Sequence, residues 1–165
     1  MSKLEELDQQ SSLSLCRFRI GNDVFGMETS VVQEALDSCE LREVPRAPKS
    51  VAGVVAYRGE VLLAISFRAL LGISEETKAS SAVVLRDTET GELFALLLDE
   101  LLDVVEIADN VWEPNPATLD ERHDDLFSGV YRISDAPVVR LEPERLQPSR
   151  LMRQHNARPR MGEQR

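Results

Sequence analysis

VPRAPKSVAGVVAYRGEVLLAISFRALLG, residues 44–72, is the stretch on whose reading the fold turns. Gly53–Tyr57 and Glu60–Ile65 are apolar and rich in β-branched side chains, the composition of short strands. Arg58-Gly59 between them supplies the glycine that a tight hairpin turn wants. An arginine is therefore carried at the hairpin tip, flanked by Tyr57 and Glu60. Upstream, prolines frame a loop and Pro48–Ala52 reads as a short helical turn. Downstream, Phe67–Leu71 reads as one or two helical turns stopped by Gly72 at C′, where a left-handed backbone suits glycine. Nothing in the stretch is catalytic; it reads as a rigid presentation device.

Working outward toward the N-terminus, Leu13–Ile20 alternates, and Cys16, Phe18 and Ile20 share the inward face of a half-buried strand. Gly21-Asn22-Asp23 is a turn and Val24–Met27 a return strand. Ser30 with Gln33 fits a capping box that would start a short helix at Val31. The β-branched pair Val31-Val32 suits a strand equally, so residues 31–36 stay open between the two. Residues 1–12 are polar and expected to be flexible.

Working toward the C-terminus, Ile73–Ser80 is a polar linker, the expected boundary between two halves. Ser81–Arg86 and Glu92–Leu98 read as strands joined by a turn at Asp87–Gly91. Over Leu96–Ile107 the carboxylates of Asp99, Asp103 and Glu106 permit an amphipathic helix by period. The apolar run Leu93–Leu98 and the pair Val104-Val105 favour strand, bend, strand. Ile107–Trp112 is expected to make a helical turn, followed by an acidic loop, Asn115–Asp125. Leu126–Ile133 and Pro137–Leu141 form a last hairpin, and Pro143 opens a short closing helix.

The run Pro-x-Ala-Pro, Gly53-Val54-Val55, the Arg58-Gly59 turn, Phe67-Arg68 and Leu70-Leu71-Gly72 resembles the CheW family, the coupling proteins of bacterial chemosensory arrays. The family's run is usually written with Asn-Leu-Arg-Gly at the hairpin and Asp-Leu-Arg before the helical turn. This chain has Ala56-Tyr57-Arg58-Gly59 and Ser66-Phe67-Arg68, and Glu100 stands where the family pattern has a turn glycine. The resemblance runs from about Leu13 to Leu146. It implies a mainly β fold of two intertwined five-stranded SH3-like barrels with short helices. The first barrel would span about residues 13–72, with room for strand exchange, and the second about 81–146. It further implies a non-catalytic adaptor between chemoreceptor cytoplasmic tips and the regulatory domain of a CheA-type histidine kinase. Carried over by residue, it assigns partner contact to Arg58, Glu34 and Val32, and more weakly to Leu101 and Val104. On the residues alone, Arg58 reads first as an exposed tip arginine stacked on Tyr57, and Leu101 and Val104 read equally as core.

Composition bounds the alternatives. A chain of 165 residues buries roughly 70% of its unfolded surface and needs no disulfide or metal to fold. Cys16 and Cys39 have no CxxC spacing and read as reduced structural thiols. The first residues hold no apolar signal region and no window suits a membrane helix, so a cytoplasmic location is expected, and the resemblance implies association with membrane-bound receptor arrays. Of 19 basic and 29 acidic side chains, five arginines and one glutamate fall in residues 150–165, leaving a body of net charge −14. Such a body repels phosphate and argues against nucleic acid. The basic residues 147–165 are expected to be a loose, dispensable tail.

His123 and His155 have no nucleophile or ligand at a recognised spacing, and no glycine-rich phosphate loop occurs. No catalytic, cofactor-binding or metal-binding residue is therefore expected. Two other readings compete with the adaptor. One is a small β-barrel enzyme using the acids of the 115–125 loop, which lack any nucleophile–base spacing. The other is a general SH3-like peptide binder, whose groove would want more than five Phe, two Tyr and one Trp.

Overall fold

The computed structural model describes residues 12–73, 81–108, 112–114, 126–133 and 137–157. The alternation at the N-terminus becomes β1 (Ser12–Ile20), which turns at Gly21 into β2 (Asp23–Glu28). A single 3-10 turn, Thr29–Val31, leads to β3 (Glu34–Leu36). The Ser30–Gln33 capping box does not form, because the Gln33 N–H is drawn into the sheet and donates to the Val84 carbonyl at 2.8 Å. A tertiary ladder outweighs a local signal here.

β4 (Leu41–Arg42) precedes the hairpin of β5 (Val51–Tyr57) and β6 (Glu60–Ser66). The helical turn expected at Pro48–Ala52 is limited to a turn closed by the Val51 N–H on the Pro48 carbonyl, and β5 starts at Val51 itself. Helix α1 (Phe67–Leu70) follows, with the Ser66 hydroxyl accepting from the Ala69 N–H at 3.2 Å and Gly72 at φ +71° ending it. Ser66 thus caps α1 from the position that Asp holds in the resembled run, the two residue types being near-equal N-caps.

β7 (Ser81–Arg86) and β8 (Leu93–Leu98) pair across the Asp87–Gly91 turn. A bend at Asp99 leads into β9 (Glu100–Ala108), as the strand reading of that segment expects. Glu100, in place of the turn glycine, begins β9 and pairs with Arg19 of β1 at 2.6 Å. Ile107 and Ala108 continue β9 and are not helical; β10 (Trp112–Glu113) pairs with β11 (Phe127–Arg132), which pairs with β12 (Pro137–Leu141). The acidic loop at 115–125 lies outside the described residues.

The strands make two sheets, β10-β11-β12-β2-β1-β9 and β3-β7-β8-β6-β5-β4. The fold is therefore mainly β, in two sheets with short helices. These sheets are not the sequential halves that the polar linker suggests. β7 and β8 belong with β3–β6, while β1 and β2 leave the N-terminal half to join β9–β12. Two parallel pairings, β2 with β12 and β6 with β8, make this possible.

Each sheet covers apolar side chains on both faces. Val55, Tyr57, Leu62, Ala64, Ala82, Val84, Ala95 and Leu97 form one interior cluster of the second sheet. Leu15, Ile107, Tyr131 and Val138 form that of the first. Between the sheets lies a larger shared core that takes Cys16, Phe18 and Ile20 from β1 and Phe94, Leu96 and Leu98 from β8. Phe25 organises it, with ring centroids 5.0 Å from Phe67 and 5.8 Å from Phe127.

Residues 143–145 form the expected closing turn, but the chain does not then loosen. Helix α2 (Pro148–Ala157) follows, and Leu151 is buried in the shared core. The loose tail is thus corrected over residues 147–157. The cause is a cap supplied from elsewhere in the chain: Asp87, itself buried, accepts from the Ser149 N–H and hydroxyl, each at 2.9 Å. Gln147, also buried, accepts from the Thr88 N–H and hydroxyl at 3.0 Å.

Candidate partner-binding site

Arg58 and Gly59 occupy the two central positions of the β5–β6 turn, at φ +45° and +80°. Two successive positive φ values define the mirror-image turn that matches the twist of paired strands. Glycine, which has no Cβ, and asparagine, whose short amide can hydrogen-bond to the local backbone, are the favoured first residues there, and other side chains are strained in the left-handed region. The arginine is therefore in a position that folding alone would fill otherwise. Its side chain is 76% exposed.

The structure brings Arg58 to Glu34 of β3. One guanidinium nitrogen, Nη2, donates to Glu34 Oε1 at 3.2 Å. The Tyr57 hydroxyl donates to the other oxygen, Oε2. The Arg58 guanidinium carbon lies 5.4 Å from the Tyr57 ring centroid, within cation–π range. Tyr57 is 8% exposed and its ring belongs to the interior cluster of the second sheet. The hydrogen bond from Tyr57 and the pairing with Arg58 hold the Glu34 carboxyl below its usual value against a smaller opposing effect of desolvation. The same contact pushes the Tyr57 hydroxyl up.

Val32 lies two residues before Glu34, half-buried and packed against the shared core; its neighbour Val31 is the exposed one, at 40%. Leu101 and Val104 lie on β9, in the other sheet, outside the Arg58–Glu34 cluster. Leu101 packs on the shared core, while Val104 is 60% exposed. The sequence reading took Tyr57 only as a stacking platform and missed its bond to Glu34. It also missed Val61, 71% exposed just beyond the tip. Val61 forms part of a groove of about 940 Å³ whose lining includes Val54, Leu63, Phe94 and Met152, with Glu60 and Glu92 beside them.

Among the described residues no group of three or more His, Cys, Asp and Glu side chains is placed to hold a metal ion, and no helix is long and apolar enough to cross a membrane. What the site offers is a fixed surface: a guanidinium with donors to spare, a charged carboxylate and exposed valines. This is contact chemistry.

Two twisted sheets sharing one core, with a pinned arginine at a hairpin tip, define a β-sheet scaffold of a recognisable kind. The family model described as CheW-like domain matches residues 14–150, and the chain belongs to that family. Among relatives, the chemotaxis protein CheW of Rhizobium meliloti (strain 1021) is 26% identical over 135 residues, 82% of this chain and 87% of that protein. The chemotaxis protein CheW of Helicobacter pylori (strain ATCC 700392 / 26695) is 24% identical over 139 residues, 84% of each chain. Among solved structures, the scaffolding protein TtCheW from Thermoanaerobacter tengcongensis superposes with a TM-score of 0.70. It is 20% identical, over 81% of this chain and 91% of that one, and so bears on the fold.

Proposed function

We propose that this chain is a non-catalytic cytoplasmic adaptor that couples a chemoreceptor's cytoplasmic tip to the regulatory domain of a CheA-type histidine kinase. The observation that carries this reading is Arg58, an exposed arginine held at φ +45° in a turn that favours asparagine. A strained, solvent-facing side chain with spare donors serves contact better than folding. Glu34, with Val32 behind it, completes that contact. Leu101 and Val104 on β9 supply a second, apolar one. Signal passes as a change in the relative geometry of the bound partners, with no chemistry in the adaptor.

Arg58→Asn separates the two roles. Asparagine relieves left-handed strain on the order of 1 kcal/mol and loses an exposed ion pair and a stacking contact of about the same total size. Stability in denaturant should therefore stay within about 1 kcal/mol of wild type. Titration against a receptor-tip helical hairpin and a kinase regulatory domain should show roughly thirtyfold weaker binding to at least one, the loss of an interface anchor. Unchanged affinity for both removes Arg58 from the interface and this reading with it.

A further inference from the structure

We propose that Tyr57 is the positioning residue of the hairpin tip. Its hydroxyl fixes one oxygen of Glu34, so that Arg58 is held by the other alone and keeps most of its donors turned outward to an acceptor on the partner. This deepens the adaptor reading and rests on it for the partner-facing half.

The geometry carries the inference in three parts. First, Glu34 divides its two oxygens between two donors, Oε2 to the Tyr57 hydroxyl and Oε1 to Arg58 Nη2. Left to itself, an arginine–carboxylate pair prefers a two-pronged fork that occupies both carboxylate oxygens and two guanidinium nitrogens. Here that fork is not formed: the Tyr57 hydroxyl is on Oε2 and Arg58 reaches Oε1 alone. Second, Tyr57 is buried in the cluster that also holds Val55, Leu62 and Ala64, while its hydroxyl reaches the surface carboxylate. A rigid donor on a buried ring sets a side chain's direction better than one on a flexible stem. Third, the guanidinium carbon lies over the Tyr57 ring, 5.4 Å from its centroid. Glu34 sits on an edge strand opposite Val84 of β7, so the charged and titratable groups that act on it are the two on the hairpin.

The acceptor that fits is one that can take two or more N–H donors from a guanidinium face already neutralised in part by Glu34. A carboxylate, or the free carbonyls at the end of a partner helix, has that character. Where the resembled run has leucine before its arginine, this chain has tyrosine, so the hydroxyl is a feature of its own tip.

Tyr57→Phe keeps the ring and removes the hydroxyl. Its effect is read by carbon-13 NMR of the Glu34 carboxyl through an acid titration, and by affinity for a kinase regulatory domain and a receptor-tip hairpin. Arg58→Asn is measured beside it. The Glu34 midpoint should rise toward the ordinary glutamate value, the thermal midpoint should hold, and affinity for the partner that Arg58 contacts should fall three- to tenfold. A Glu34 midpoint that does not move overturns the positioning role, whatever binding does. A risen midpoint with unchanged affinity, where Arg58→Asn does weaken binding, overturns the partner-facing role. Should Arg58→Asn leave both affinities intact, the adaptor site falls and the partner-facing half with it, while the Glu34 midpoint still decides the positioning half.

Discussion

Gly53 bends β5 at φ +152°, and a β-carbon built there would lie 2.1 Å from the carbonyl oxygen of Arg42. The obstacle is backbone of β4, which cannot swing aside as a side chain would. Gly53→Ala should therefore cost about 3 kcal/mol, combining overpacking with backbone strain. In a chain of this size that lowers the thermal midpoint by roughly 6–12 °C, and a loss under about 1 kcal/mol would show that β4 simply moves away. This glycine was legible in sequence only as one letter of a family-like run, because what forbids a side chain is a strand eleven residues earlier crossing close by. The same limit applies at the tip. Arg58-Gly59 announces a turn locally, but the bonds of Glu34 to Tyr57 and Arg58 join positions 23 and 24 residues apart, which no local period reports.

Helix α2 shows the limit at the scale of an element. Strands were readable because their pattern is written in the strand itself, as alternation along β1 and as an unbroken apolar run along β8. The helix was not, because its cap is Asp87, 62 residues away in the β7–β8 turn. Read alone, an arginine-rich end with little apolar content cannot hold a helix. Burial pushes the Asp87 carboxyl up, but hydrogen bonds from Ser149, Glu89 and Thr90 outweigh it and leave the group below its usual value. Its capping is thus fully present above the ordinary aspartate range and is lost as pH falls through the lowered native value. Asp87→Ala removes a cap and leaves several partly buried donors without that acceptor, at a cost of about 2 kcal/mol. Hydrogen exchange should show the amides of 148–157 losing protection in this variant while β8 keeps its own. The stability gap between variant and wild type should close only in acid, below about pH 4. Equal protection of the helix in both proteins would mean that Leu151 and its neighbours hold it without Asp87.

For the whole molecule, the polar stretch at 73–80 looked like a boundary because linkers and surface connections share one composition. It joins α1 to β7, and both its flanking strands, β6 and β7, pair with β8 in a single sheet. Which strands exist is a matter of residue pattern; which strands pair is decided by the shared core. The apolar faces of β1 and β8 meet in the same core and carry no mark of the sheet to which they belong, which is set by the pairing of β1 with β2 and β9 and of β8 with β6 and β7.

The second sheet is contiguous from β3 to β8, whereas the first is split around it, β1 and β2 on one side and β9–β12 on the other. During synthesis the contiguous sheet can pair its strands as they emerge. The β1–β2 hairpin cannot, since its flanking partners β9 and β12 are translated later, β12 roughly a hundred residues on. At translation speeds of about 5–20 residues per second, that leaves two open strand edges waiting for several seconds, the condition under which nascent chains aggregate or recruit a chaperone. Chains stalled on the ribosome just before β9 should be cut by protease within β1–β2 while β5–β8 resists, and chains stalled after α2 should resist throughout. Resistance of β1–β2 in the shorter chain would mean that the hairpin shelters against the middle sheet from the start.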